Sequence, residues 1–171
     1  IEETGAAQHY RDARIAQIYE GTNGIQAIDL VTRKVPLEGG AVVRVCLDEL
    51  REAVAAVAAS NNPAFGHTAA RLNDAIESVD RATAWLHDAL EKNPQGALAG
   101  ATPYLRLFGT AIGGCALAQE ALAAIRIGNG ADSAERTALA RFFAENVAVQ
   151  AQGLERTVTE GGDSVSEAAL T

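Results

Sequence analysis

No methionine occurs anywhere in this sequence of 171 residues, and the chain opens on Ile1-Glu2-Glu3. An isoleucine after an initiator methionine hinders removal of that methionine. The expectation is therefore a fragment or a processed C-terminal piece of a longer product. Cysteine is scarce as well: Cys46 and Cys115 lack CxxC spacing and have no histidine nearby, which speaks against a disulfide framework or a zinc site. Two free thiols inside apolar patterns fit a reducing, cytoplasmic setting. His9, His67 and His87 form no HxxxH or HExxH pair, so no metal centre is expected. Basic clusters are missing and the formal net charge is −8. Binding to a phosphate backbone needs Lys and Arg gathered on one face, so no nucleic-acid partner is expected. No apolar run approaches the roughly 20 residues that cross a bilayer, so no membrane span is expected. Aromatics are only 5% of the chain, and no stretch alternates with period two long enough for a strand.

What is abundant is alanine, within a 48% apolar composition. That favours helix. A first helical pattern covers 5–18, with Tyr10, Ile15 and Ile18 apolar. A break follows at 19–22, where the Thr22 hydroxyl is placed to accept from amides two or three residues on. A short second helix carries Ile25, Ile28, Leu30 and Val31, and its last turn holds Arg33 and Lys34, at the negative end of the helix dipole. "VPLEGG" then interrupts the chain, because Pro36 disfavours helix at Val35 and two glycines follow.

Four long helical patterns come next. The first, 41–60, aligns Val43, Cys46 or Leu47, Leu50, Val54 and Val57. The second, 67–92, aligns Leu72, Ile76, Val79, Thr83, Leu86 and Leu90 in alternating steps of four and three, a bundle seam. The third, 102–127, has Thr102 as cap, Pro103 at its first position, and a seam of Leu105, Phe108, Ile112, Cys115, Leu122 and Ile125. The fourth, capped by Asp132 or Ser133, carries Leu139, Phe143, Val147, Leu154 and Val158. Short connections make neighbours antiparallel, so the fold expected is all-α: a helical hairpin, residues 1–35, followed by an up-down four-helix bundle, residues 36–171. "GTAIGG", 109–114, lacks the strand before it and the Gly-Lys-Ser/Thr after it that a phosphate loop requires. Small residues on an apolar face let another helix approach closely.

One residue stands apart. Glu20 lies between Tyr19 and Gly21, where the chain stops being helical. It is either a solvated turn charge, the usual role of a turn glutamate, or a carboxylate presented to something; apolar neighbours, a glycine that permits close approach, and the free amides of a helix beginning near Thr22 count toward the second.

The stretch "YRDARIAQIYEGTNGIQAIDLVTRK" resembles the end of the catalytic region of acyl-CoA dehydrogenases. The remainder, with "GALAGATPYLRLFGTAIGG" and "RFFAENV", is similar to the C-terminal helical extension of a larger-subunit branch of that family. That branch includes dehydrogenases of fatty acyl-CoA and of methylmercaptopropionyl-CoA. The resemblance implies a catalytic role for Glu20, removing the α-proton of an acyl-CoA thioester while the β-hydrogen leaves as hydride to FAD. It implies substrate contact by Tyr19 and Gly21, and FAD contact by Thr22, Asn23 and Gly24. Gly24 stands where many members have Gln or Glu, so only its backbone can contribute. It also implies an electron acceptor such as an electron-transfer flavoprotein, a homo-oligomer, and a chain inactive without the other domains of the enzyme. The alternative reading is a helical oligomerisation or interaction module without catalysis.

Overall fold

The computed structural model describes residues 3–16, 22–128 and 130–168. Every element among them is helical and no strand occurs. Three helices follow the sequence patterns closely in extent, α3 (Ala41–Ala59), α4 (Thr68–Lys92) and α6 (Ala101–Ile127), but Gly100 and not the expected Thr102 holds the cap position of α6. Between α4 and α6 lies a short α5 (Pro94–Ala99) that the patterns did not reveal. It starts on proline, and the Asn93 side chain accepts from the Gly96 amide at 3.1 Å, so "NPQG" caps a helix rather than only breaking one.

The expected fourth helix is two helices, α7 (Gly130–Asn146) and α8 (Ala151–Glu160), joined by a 3₁₀ turn at Ala148–Gln150. At the junction Asn146 Nδ2 donates to the Phe142 carbonyl at 2.9 Å. A side chain that competes for a helix carbonyl beside a β-branched valine favours such a break. A final short helix, α9 (Gly162–Ala168), folds back on α5, where Gly96 and Gly162 are in close backbone contact.

The core is built around α6, which packs against α3, α4, α7 and α8. Its buried positions are Ala101, Tyr104, Leu107, Ala111, Gly114, Cys115, Ala118, Ala121 and Ala124. Of the expected seam Cys115 is buried and Leu105, Phe108 and Leu122 are partly buried against the core, whereas Ile112 and Ile125 are 40% and 37% exposed; small residues with Tyr104 and Leu107 take most of the core face. At Gly114 any Cβ would strike the Leu72 side chain and sit 3.3 Å from the Phe143 ring. "GTAIGG" thus serves helix packing. Helix α6 is also long and apolar enough, by length and composition, to cross a bilayer, which corrects the reading that no stretch is. In this fold it is the central helix of the bundle.

The N-terminal pair of helices behaves unequally. Helix α1 (Ala6–Ala16) buries no residue. Helix α2 (Asn23–Asp29) runs into a π-helical turn, Leu30–Lys34, and packs on α6. Its core face is Ala27, Val31 and Val35, each 2% exposed or less, whereas Ile25 and Ile28 point outward at 58% and 39%.

Candidate functional site

Of the site residues expected from sequence, Tyr19, Glu20 and Gly21 lie outside the described residues. Thr22, Asn23 and Gly24 open α2, and all three are exposed. Thr22 is extended (φ −73°, ψ 158°), and its hydroxyl oxygen accepts from the Ile25 amide at 3.5 Å, while its carbonyl accepts from Gln26 at 3.1 Å. Thr22 is thus the N-cap. The hydroxyl proton is not used in that bond. At Gly24 a Cβ would meet nothing closer than Thr22 Oγ1 at 3.8 Å. Among the described residues, packing does not demand glycine here. The amides of a first helical turn have no intrahelical acceptor, and they carry the positive end of the helix dipole.

What holds this corner is the far end of α2. Asp29 forms a two-point ion pair with Arg33, whose Nε and Nη2 donate at 2.6 and 3.0 Å, and Lys34 Nζ lies 3.5 Å away. The Arg33 guanidinium holds the Asp29 carboxyl below its usual range. Thr32 donates its hydroxyl to the Ile28 carbonyl at 2.8 Å, and the Val35 amide reaches back five residues to Leu30 at 2.8 Å. This side-chain back-bond accompanies the widened π turn. Ala27, Val31 and Val35 all face the core across that turn, so α2 is fixed to α6 and the Thr22 turn is placed by a rigid element.

Sequence reading missed the polar groups that lock the bundle. Tyr104 is fully buried, and its hydroxyl lies 2.7 Å from Thr83 Oγ1, which itself donates to the Val79 carbonyl at 2.7 Å. Burial pushes the Tyr104 phenol up to about 12. Arg51 on α3 reaches Glu77 and Asp80 on α4 at 3.3 and 2.5 Å, and Arg81 on α4 grips Glu155 on α8 at 2.6 and 2.7 Å. Arg-to-carboxylate pairs between elements far apart in sequence leave no local pattern to read. The Asp29–Arg33 pair did leave one, at i,i+4 spacing. Cys115 is buried, donates weakly to the Leu50 carbonyl at 3.9 Å, and has its thiol pushed up to about 11 by burial. It is an inert core thiol.

Comparison with known proteins bears on this corner and on the bundle together. The sequence profile of the family described as "acetyl-CoA dehydrogenase C-terminal like" matches residues 46–169. A 3-methylmercaptopropionyl-CoA dehydrogenase of Ruegeria pomeroyi is 37% identical over 174 residues, covering 99% of this chain and 29% of the relative. A butyryl-CoA dehydrogenase of Syntrophomonas wolfei is 30% identical over 155 residues, covering 86% of this chain and 25% of the relative. The chain spans less than a third of the length of either relative.

Proposed function

Because the chain belongs to the acetyl-CoA dehydrogenase C-terminal-like family, we propose that it is the C-terminal part of an FAD-dependent dehydrogenase acting on an acyl-CoA thioester. The observation that supports this reading is the alignment of 99% of the chain with a 3-methylmercaptopropionyl-CoA dehydrogenase, a span that takes in the Tyr19–Gly24 corner as well as the bundle. On this reading Glu20 is the base. A thioester α-proton is weakly acidic, so its removal needs a carboxylate within hydrogen-bond reach and with its proton affinity raised by desolvation. The neighbouring start of α2 works against that by favouring the anion, and burial beneath the acyl chain must outweigh it. Tyr19 and Gly21 line the substrate.

The exposed first turn of α2 suits a flavin at the chain's edge. Thr22 keeps a hydroxyl proton to donate, and the exposed Asn23 and the Gly24 backbone flank it. When bound, the flavin supplies the electron sink that no side chain can provide. The rest of the flavin and acyl-CoA surface belongs to further domains of the longer polypeptide, so the chain alone does not turn over. The exposed Tyr10, Ile15, Ile25 and Ile28 are the surface through which it meets those domains or a second subunit. We place the division between the catalytic region and its extension at residues 35 and 36. Electrons pass on to an acceptor such as an electron-transfer flavoprotein.

The test is Glu20→Gln in the full-length gene product. FAD and acyl-CoA binding should persist while the rate falls at least about a hundredfold, the usual scale for a general base. Near-normal turnover sinks the assignment. Absence of flavin and of acyl-CoA turnover in the unaltered full-length protein would instead favour the interaction module.

A further inference from the structure

A cavity of about 340 Å³ opens between the turn before α3 and the middle of α4. Its floor is apolar and buried: Val35, Val43 and Leu47 are 2%, 6% and 1% exposed. Its wall is a turn in which Glu38, Gly39 and Gly40 have successive positive φ values of 51°, 63° and 82°. Three left-handed residues in a row form this turn, and Gly39 and Gly40 line the cavity opposite Asp80 to Asp88 of α4. Only glycine adopts this region without cost, so Glu38 marks a turn held in place by its surroundings.

Three charged side chains stand at the mouth, Arg44, Asp80 and Asp88, together with the imidazole of His87. Each of the two carboxylates is paired with a cation that does not line the cavity, Arg51 being shared with Asp48 and Glu77. Asp80 is held by Arg51 at 2.5 Å, and Asp88 by Lys92 at 2.7 Å. Arg44 has no such partner among the described residues; its one hydrogen bond there is from Nη2 to the Gly39 carbonyl at 3.3 Å. A guanidinium with one neutral acceptor keeps most of its five donors for a planar anion. His87 stands on the facing helix.

We propose that this cavity binds a small monoanion with an apolar body, a short carboxylic acid being the fitting class, with its carboxylate on Arg44 and its carbon chain over Val43, Leu47 and Ala84. The volume, at about 30 Å³ per water-sized atom, holds about ten heavy atoms, the low end for ligand pockets. Free phosphate satisfies the charge but not the floor. An alkylammonium satisfies the floor but meets the unpaired guanidinium. The site is independent of the Glu20 corner and does not rest on the dehydrogenase reading.

The experiment is titration of the 171-residue chain with hexanoate, followed by amide and arginine side-chain resonances, beside parallel titrations with hexylammonium and inorganic phosphate. Saturable shifts centred on Val43, Arg44 and Ala84 are expected with hexanoate, and weaker ones or none with the other two. Arg44→Gln should weaken hexanoate at least about tenfold, the scale of one charge-assisted pair. Ala84→Leu, at an exposed position, should block the cavity and abolish binding. Both sites are on the surface, so helical content and melting serve as the folding check. Unsaturable hexanoate shifts, equal binding of hexylammonium or phosphate, or hexanoate affinity unchanged in either folded variant overturns the proposal.

Discussion

Tyr104 donates its hydroxyl to Thr83, and Thr83 passes its own proton to the Val79 carbonyl, both at 2.7 Å. The direction follows from counting protons: a threonine hydroxyl has one, and the backbone carbonyl can only accept. The chain of bonds ties α6 to α4 in the dry centre of the bundle. Replacing the tyrosine and replacing the threonine should therefore not be equivalent. Tyr104→Phe leaves Thr83 still donating to Val79 and should cost about 1 kcal/mol. Thr83→Val strands a buried phenol and should cost more, about 1–3 kcal/mol. Urea denaturation of the two variants and of the double variant checks this. A double variant no worse than Thr83→Val alone is the expected coupling, and equal single-variant costs would contradict the stated direction.

The same residue sets an alkaline limit. Burial raises the folded-state Tyr104 phenol to about 12 from an ordinary 10. A raised folded value means that its contribution is complete below pH 10 and is lost as pH climbs through 10 toward 12. Stability should fall across that window in the wild-type chain, and Tyr104→Phe should flatten the fall. An unaltered slope in the variant would mean that another group governs it.

Alanine explains much of what sequence could and could not show. In α3 and α4 the large apolar residues lie on the buried face, and the expected Val43, Leu47, Leu50, Val54, Val57, Leu72, Ile76, Val79 and Leu86 are all core. In α6 and α7 the core face is mostly small residues, with Ala111, Ala118, Ala121, Ala140 and Ala144 buried beside Tyr104, Leu107 and the expected Cys115, while Ile112, Leu139 and Phe142 are exposed. A pattern that weights large side chains finds the wrong stripe there. In α2 the expected Val31 is buried but the expected Ile25 and Ile28 are exposed, and Ala27 and Val35 complete the core face instead, a stripe of step four that continues through a π turn. The candidate site was legible only as a motif, since a carboxylate's role depends on what surrounds it.

Glycines in α6 offer a paired test of that small-residue seam. A Cβ at Gly114 would collide with Leu72 and crowd Phe143, whereas at Gly109 it would meet nothing within 4 Å. Gly114→Ala should destabilise by about 1–3 kcal/mol through overpacking. Gly109→Ala should stabilise by about 0.5–1 kcal/mol, because helix interiors favour alanine. Thermal melts of the two variants should move in opposite directions; movement in the same direction would show that the α4–α6–α7 contact is not as close as described.

The Arg81–Glu155 clamp gives an acid-side prediction. Hydrogen bonding from Arg81 lowers the Glu155 carboxyl, and the acid side chain is only 17% exposed. A depressed folded-state value means that its stabilisation is present above the ordinary carboxylate range and is lost as pH falls through the folded value. Glu155→Gln should cost about 1 kcal/mol at neutral pH, the upper end for exposed pairs because Arg81 is itself exposed. The difference between variant and wild type should shrink as the solution is acidified. A difference that stays constant to low pH would place the effect in packing rather than in the ion pair.

The division near Pro36 is tested by a chain that begins at Glu38. The family profile starts only at Cys46, and the helices from α3 onward share one core, so the shortened chain should still melt cooperatively with helical signal. It will not be equally stable. Ala27, Val31 and Val35 are 0%, 0% and 2% exposed against that core, and losing two fully buried valines alone removes about 3 kcal/mol of burial at ~1.5 kcal/mol each. The side of α6 that α2 covers is then open to water, so the shortened chain should also associate more readily than the longer one. Circular-dichroism melts with sedimentation at matched concentrations separate the outcomes. A cooperative melt at lower temperature with tighter association is expected. A broad, non-cooperative transition would mean that α2 and its π turn are part of the folding unit itself, and that the boundary in sequence is not a boundary in the fold.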